Sequence, residues 1–442
     1  MAKKESQYLE RHAAPEATLA DHLGSFGHAI VLPAYGEGDD LVQALRSVPA
    51  GSLGEVLVVL VVNGRSNSPA WVHERNHEVP GRLRDAFGGK DEQLVGDPPA
   101  RLLRFAPGRI LVVDRASPDH LLPDDQGVGL ARKLGADLCL RLHATGRLRS
   151  PFIHSTDADV ELPPDYFARP ALAQSPRPAA LLYPFVHRPE DDAALAQAIA
   201  LYEVSLRYYV LGLAYARSPY AYHSIGSTLA VNAASYEIVR GFPRRMAGED
   251  FYLLSKLAKV GSIARLSGAP IVLRGRPSDR VPFGTGPAVR RIAEAGADRF
   301  TLYDPSLFDY LQAWLATLSA IAFGTINDLE ALVRESCASR GLKPDRLMAA
   351  VEGLGAPDAV VRAASESKDT ESLARRLATW FDAFRTLKLL HALQEHNYPK
   401  VPWRDALRRA PFAATAISGG EVPSDASSIR LVAERLALLE RQ

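Results

Sequence analysis

The chain has 442 residues, 47% of them apolar and 23% charged, with a formal net charge of +1 at pH 7. That composition fits a folded protein with a sizeable core, arranged as one large domain with attachments or as two to three ordinary ones. Its charge balance gives no electrostatic reason for a nucleic-acid partner, and Cys139 and Cys337 are too few for a disulfide framework.

Residues 1–10 carry charge of both signs and no apolar run, so no secretory signal is expected and a cytoplasmic location is inferred. From about 28 to 275, short apolar runs alternate with helical patterns, which predicts an α/β fold with a mostly parallel sheet. Residues 28–33 read as a first strand, followed by a Gly-containing turn and a helix over 40–47. Residues 56–62 are an unbroken run of Val and Leu, as expected of a strand covered on both faces. The stretch 63–101 is rich in Gly, Pro, Asn and charge and reads as an excursion with little regular structure. Strands are predicted at 109–113 and 151–156, with a helix at 129–136 between them. A helical pattern over 191–216 begins at Asp191 or Asp192, either of which suits an N-cap. A short strand at 228–231 precedes helices at 233–240 and 250–260.

Beyond about 275 the β-type runs stop, and 306–340, 344–353, 358–366, 371–396 and 425–441 favour helix, with 400–428 as a connector. The expected organisation is a lead segment 1–27, an α/β domain 28–285 and an α-helical part 286–442. The apolar stretches 208–216 and 311–323 fall short of the roughly eighteen residues a membrane span needs, so both read as buried helix and membrane contact is not expected.

Several strand ends carry polar groups. Phe152-Ile153-His154-Ser155 runs into Thr156-Asp157-Ala158-Asp159, an apolar strand ending in two carboxylates one residue apart. In an open α/β sheet ligands bind beyond the carboxyl ends of strands. Hard divalent cations such as Mg²⁺ or Mn²⁺ take one or two carboxylates plus substrate phosphates there. Strand one ends in Pro33-Ala34-Tyr35-Gly36-Glu37, where Tyr35 suits stacking on a base and Glu37 suits accepting from base or ribose. Strand two ends in Asn63-Gly64-Arg65-Ser66, and Asn63 is able to read a base edge. Gly127-Val128-Gly129 opens a helix bearing Arg132 and Lys133, so free N–H groups and a cation would favour a diphosphate. These glycines do not follow the first strand, which excludes a dinucleotide-binding dehydrogenase. Gly248-Glu249-Asp250-Phe251 places two acids at a helix start, either as caps or as a general base for an acceptor hydroxyl.

Five motifs in this order, P-A-Y-G-E, V-V-N-G-R-S, G-x-G-x-A-R-K, T-D-A-D and G-E-D-F, over roughly residues 28–265, resemble family 2 glycosyltransferases, whose members share the GT-A fold. The resemblance implies a nucleoside diphosphate sugar as donor, a hydroxyl acceptor and a divalent metal. It matches Pro33, Tyr35 and Glu37 to nucleotide contacts and Asn63 to a base-reading position. It matches Asp157 and Asp159 to the metal motif, with Asp159 the more direct ligand, and Glu249 and Asp250 to the acidic pair, with Asp250 as base of an inverting transfer. Gly36 and Asn63 depart from the family's usual Asn and Asp. The Q-x-x-R-W segment of processive synthases is absent, which favours a single transfer.

In that segment's place, Arg274, Arg276 and Arg280 lie in a Gly- and Pro-rich loop suited to gripping a diphosphate or a small anionic acceptor. His154 reads as a core residue, and His223, in an aromatic and polar loop, as a lining of an acceptor pocket. A retaining transferase and a non-catalytic nucleotide-sugar-binding protein are the nearer alternatives. A sugar nucleotidyltransferase would need a basic Gly-rich loop after strand one, where residues 34–40 are acidic and lack a cation.

Overall fold

The two leading apolar runs form the centre of the main sheet. β1 (His28–Ala34) and β2 (Val56–Asn63) are buried along their whole length, as strands with layers on both faces must be. The computed structural model describes residues 6–88, 92–94, 98–172, 177–275, 284–324, 328–396, 398–417 and 423–441. They belong to two compact units, Met1–Arg188 with Ser224–Pro287, and Pro189–His223 with Ala288–Gln442.

In the first unit, α1 (Gln7–Arg11) precedes β1, α2 (Asp40–Arg46) joins β1 to β2, and α3 (Ala70–Phe87) follows β2. β3 (Glu92–Leu94), β4 (Ala100–Phe105) and β5 (Gly108–Arg115) lead to α4 (Val128–Ala144), β6 (Phe152–Ser155) and β7 (Val160–Glu161). β8 (Ala180–Leu182) and β9 (Phe185–Arg188) come next; α5 (Ala193–Tyr215) belongs to the second unit. β10 (Leu229–Asn232), α6 (Ala233–Ile238), α7 (Glu249–Leu257), β11 (Ile263–Arg265) and β12 (Ile271–Arg274) complete the first.

Nine strands pair in the order β11-β8-β10-β6-β1-β2-β5-β4-β3, and β7-β12-β9 form a separate small sheet. β6, β1, β2 and β5 run parallel, so their carboxyl ends share one edge. The chain passes from β1 to β2, reaches the sheet edge at β3, comes back through β4 to β5 beside β2, and then crosses through α4 to β6 on the other side of β1. Right-handed crossovers put α2 and α4 on opposite faces, which makes the β1–β6 boundary a topological switch point.

The stretch 63–101 is more regular than its composition suggests. It holds the 18-residue α3, whose buried Val72, Asn76, Val79 and Leu83 recur at helical spacing around Pro80. The expected connector 400–428 likewise contains a helix, residues 403–409.

The second unit is helical. Besides α5 it contains α8 (Thr285–Ala295), which begins at the boundary, α9 (Ser306–Phe323), α10 (Leu329–Ala338) and α11 (Pro344–Gly353). α12 (Ala356–Glu366), α13 (Thr370–Trp380), α14 (Ala383–His396), α15 (Trp403–Arg409) and α16 (Ala426–Leu439) follow, with a short pair β13 (Thr301–Leu302) and β14 (Val401–Pro402). Asp192 caps α5 by accepting from the Leu195 amide at 2.8 Å. The sequence groups α5 with the α/β domain, but its apolar residues pack with α9 and α16 in the helical core around Phe308 and Trp314. Among the described residues no helix is long and apolar enough to cross a membrane. Cys139 and Cys337 are both buried.

One buried carboxylate gathers several of the contacts between the lead segment and the rest of this unit. Asp137 of α4 is fully buried and accepts from Tyr8 Oη (2.7 Å), Tyr236 Oη (2.9 Å), the Ala14 amide (2.8 Å) and Lys133 Nζ (2.7 Å). Asp137→Ala leaves a buried ammonium and two hydroxyls without their acceptor. We expect a loss of about 3–5 kcal/mol, as for breaking a buried ion pair, read as a lower urea midpoint for the transition that includes this unit.

Candidate active site

At the switch point the end of β6 is held in register with β1. Val31 pairs with Ser155, and the Thr156 amide donates to the Val31 carbonyl at 3.0 Å. The chain then passes through Asp157, Ala158 and Asp159 before entering β7, so the acidic motif spans the gap between the large and small sheets. Ala158 is buried, while Asp157 and Asp159 keep partial exposure. Adjacent strands lie about 4.8 Å apart, so the ends of β6, β1 and β2 fall within roughly 10 Å of one another along this edge. Asp159 also lines a groove of about 390 Å³ with Asp40, Arg46, Glu161, Arg188 and Arg274.

One guanidinium organises the carboxylates. Arg132, 3% exposed, sends Nε to Glu249 Oε1 (2.8 Å) and Nη2 to Asp157 Oδ1. Its Nη1 donates to Ser155 Oγ and to the carbonyls of Thr156 (3.2 Å) and Gly226 (3.1 Å). Burial opposes the charge on Arg132, but Asp157, Glu249 and Asp250 outweigh it and raise the pKa further above its usual value. The sequence pattern aims this residue at a diphosphate; in the structure it is committed to protein acceptors.

The helix start in front of it differs in the same way. The Gly129 amide donates to the Arg245 carbonyl at 3.1 Å, and a Cβ on Gly129 would stand 2.5 Å from the Pro243 oxygen and 2.7 Å from that of Arg245. The glycine admits the loop that delivers Glu249 and Asp250, and this amide holds that loop rather than an anion.

The two neighbouring acids have different surroundings. Glu249 is buried against Arg132. Asp250 is partly exposed, and its Oδ1 accepts from the Phe251 amide at 2.7 Å. Burial first, and then the charge of Glu249, push its carboxyl up to about 7, against the pull of the Phe251 amide and Arg132. A carboxyl titrating there suits proton transfer near neutrality.

On the β1–β2 side, Tyr35 is partly exposed; its hydroxyl donates to Ser68 Oγ (2.9 Å) and accepts from Arg65 Nη2 (3.3 Å). The Arg65 guanidinium lies 5.2 Å from the Tyr35 ring centroid. Asn63 is 3% exposed, and its Nδ2 donates to the Ala34 carbonyl at 2.8 Å, joining the ends of β1 and β2. Pro33 and Glu37 are also buried. Asn76 completes the junction: Oδ1 accepts from the Gly36 amide (2.9 Å) and Nδ2 donates to the Asn63 carbonyl (2.8 Å). Neither Asn76 nor Arg65 is singled out by the sequence motifs. The signal for Asn76 was a polar residue on the apolar face of α3.

The other residues raised by the sequence fall in different surroundings. His223 is in the helical unit, where Nε2 bonds Glu440 Oε1 at 2.8 Å beside the Arg207–Glu203 pair. His154 is fully buried among Tyr166, Phe167 and Tyr183, with its pKa held well below the usual value by burial. Arg274 pairs with Asp40 at the groove, and Arg276 and Arg280 lie outside the described residues. Among the described residues, no three His, Cys, Asp or Glu side chains gather so as to hold a metal by themselves.

No family model matches the chain, and no curated protein does. Among solved structures it is similar to S. aureus TarS, with 12% identity and a TM-score of 0.32 over 71% of this chain and 48% of that one. It is similar also to the mannosyltransferase PcManGT from Pyrobaculum calidifontis in complex with GDP-Man and Mn²⁺, with 18% identity and a TM-score of 0.33 over 87% of this chain and 91% of that one. The chain thus spans about half the length of the TarS chain.

Arg132→Met keeps much of the side-chain volume but strands Glu249 in its buried position. The expected cost is about 3–5 kcal/mol, with Arg132→Lys intermediate because an ammonium cannot reproduce the planar fork. Chemical unfolding of the three proteins measures it, and equal stabilities would remove Arg132 from this role.

Proposed function

We propose that this chain transfers one glycosyl unit from a nucleoside diphosphate sugar to a hydroxyl acceptor, using a GT-A-type site and a divalent metal. The observation that carries the reading is the division of carboxylates at the switch point. Asp157 and Asp159 stand partly exposed beyond β6, and Asp250 is poised near neutrality on a loop that Arg132 ties to the same strand end.

The residues fit the metal by their chemistry. Two carboxylates supply hard oxygen donors, and only one oxygen of Asp157 is bonded to Arg132. With no third protein ligand gathered among the described residues, diphosphate oxygens and water would complete the shell, as Mg²⁺ and Mn²⁺ sites on nucleotides commonly have it. Bound there by Asp159 and Asp157, the metal would offset charge growing on the leaving nucleoside diphosphate. Asp250 takes the proton of the acceptor hydroxyl as it attacks the sugar's anomeric carbon, so the configuration inverts. Glu249 and Arg132 fix where that base stands.

Tyr35 and Arg65 present an aromatic face and a cation to the donor. Asn63, with its amide committed to Ala34, positions the two strand ends. Glu37 and Pro33 support the same turn from inside. A sugar nucleotidyltransferase fits less well, because residues 34–40 of the first turn are acidic and supply no cation of their own. A front-face retaining transfer, in which the departing phosphate takes the acceptor proton, would give Asp250 no such part.

Two measurements test this. Asp159→Ala should lower metal-dependent release of nucleoside diphosphate by two orders of magnitude or more, an effect of roughly several kcal/mol, in a screen of UDP- and GDP-sugars with Mn²⁺. Near-normal turnover would sink the assignment.

For Asp250 the wild-type rate should rise with pH to a plateau above about 7, because the base must be ionised. Asp250→Asn should lose that limb and about 10²–10⁴ in rate. The folded pKa lies above the unfolded value near 3.9, so the folded state binds the extra proton between them and stability falls as pH rises from about 4 to about 7. Asp250→Asn should therefore match the wild type in melting temperature at pH 4 and exceed it at pH 8.

A further inference from the structure

The helical unit contains a cleft of about 680 Å³ between α12 and α13, closed at one end by the start of α14. Its floor is made by helical spacing. Gly355, Ala359 and Ala363 follow one another at intervals of four, so one face of the α12 segment carries only small side chains where larger ones would fill the gap. The rim carries four guanidinium groups, Arg362 on α12, Arg375 and Arg376 on α13 and Arg385 on α14, against two lining acids, Asp358 and Glu366.

The pairing inside it is weak. Arg376 meets Glu366 at 2.6 Å and Arg375 meets Glu371 at 2.8 Å, all four exposed. Such surface pairs contribute little and yield readily to a better acceptor. Arg362 has no ion-pair partner among the described residues. Arg385 is already set: Nη1 donates to the Trp380 carbonyl at 2.6 Å, and its guanidinium sits 5.0 Å from the Trp380 ring centroid. Ser372 Oγ is taken up by the cap of α13, so a cleft with excess cationic forks, an indole wall and the Thr379 hydroxyl is suited to oxyanions spaced along a hydroxyl-bearing chain.

We propose that this cleft binds a saccharide chain bearing carboxylate or phosphate groups. Its anionic character rests on the cleft alone; its saccharide character rests on the reading of the chain as a sugar transferase. The cleft is not part of the α/β site, and its occupancy does not require turnover.

The test is equilibrium binding to the full chain by calorimetry, with Trp fluorescence as a second readout. The probes are a galacturonate tetramer, a phosphorylated maltotetraose, unmodified maltotetraose, tripolyphosphate and a thymidine oligonucleotide. The proposal expects binding of at least one anionic saccharide and not of unmodified maltotetraose, with affinity falling as salt rises. The two anionic saccharides separate carboxylate from phosphate as the recognised group. Arg362→Gln with Arg376→Gln should weaken binding by at least about 10-fold through two lost charge-assisted contacts. Ala359→Leu, which keeps every charge but fills the floor, should weaken it as well. Unchanged affinity in both variants, equal binding of the neutral saccharide, or a preference for tripolyphosphate or the oligonucleotide would each overturn it. A thermal-shift panel of UDP and GDP with Mn²⁺ on the same variants reports the α/β site separately, so failure there is not failure here.

Discussion

The arrangement depends on a single buried cation. Arg132 takes charge out of water, which is unfavourable by itself, and the structure offsets this by supplying acceptors from three directions: the β6 end, the Gly226 carbonyl and Glu249. A buried ion pair of this kind is seldom a net source of stability compared with apolar packing. What it gives instead is position. Strand β6, the 226 turn and the start of α7 are remote in sequence, and the planar guanidinium fixes them to one another.

That position gives two adjacent residues of similar chemistry different properties. Glu249 faces the cation and is tied by it. Asp250, one residue on, turns toward a place where burial and its neighbour's negative charge both oppose ionisation. A carboxyl titrating near neutrality thus arises from the order of two residues at a helix start. Gly248, in the left-handed region at φ 71°, allows the chain to enter α7 so that the pair divides between interior and rim.

Much of the sheet is legible in the sequence, because strands buried on both faces must be continuous apolar runs and β1 and β2 are just that. The acidic motif after β6 is legible too, since a strand-end carboxylate needs only local context to be recognised. Arg132 is visible as a cation near a helix start, but its direction is not: whether it faces ligand or interior depends on Glu249, 117 positions away. Gly127 and Gly129 suggest an anion cradle for the same reason, as glycine signals close approach without saying by what. α3 escapes notice because Pro80, Gly81 and many charges mask the spacing of Val72, Val79 and Leu83. The place of α5 in the helical unit is set by which partners its apolar surface finds, which no local pattern records.

Gly36 shows how one substitution in a motif follows from another element. Its φ of 61° favours glycine, and a Cβ there would stand 2.6 Å from the Trp71 ring. A larger residue would have to displace the Trp71 ring and crowd Val72, beside Asn76, whose amide joins the Gly36 and Asn63 backbones. The amide of α3 and the glycine of the β1 turn therefore form a matched pair. With Asn76 bridging the turns, no side chain at position 36 is needed to connect them, and the ends of β1 and β2 stay together. The junction is carried by a helix that arrives later in the chain, which leaves Tyr35 partly exposed at the edge.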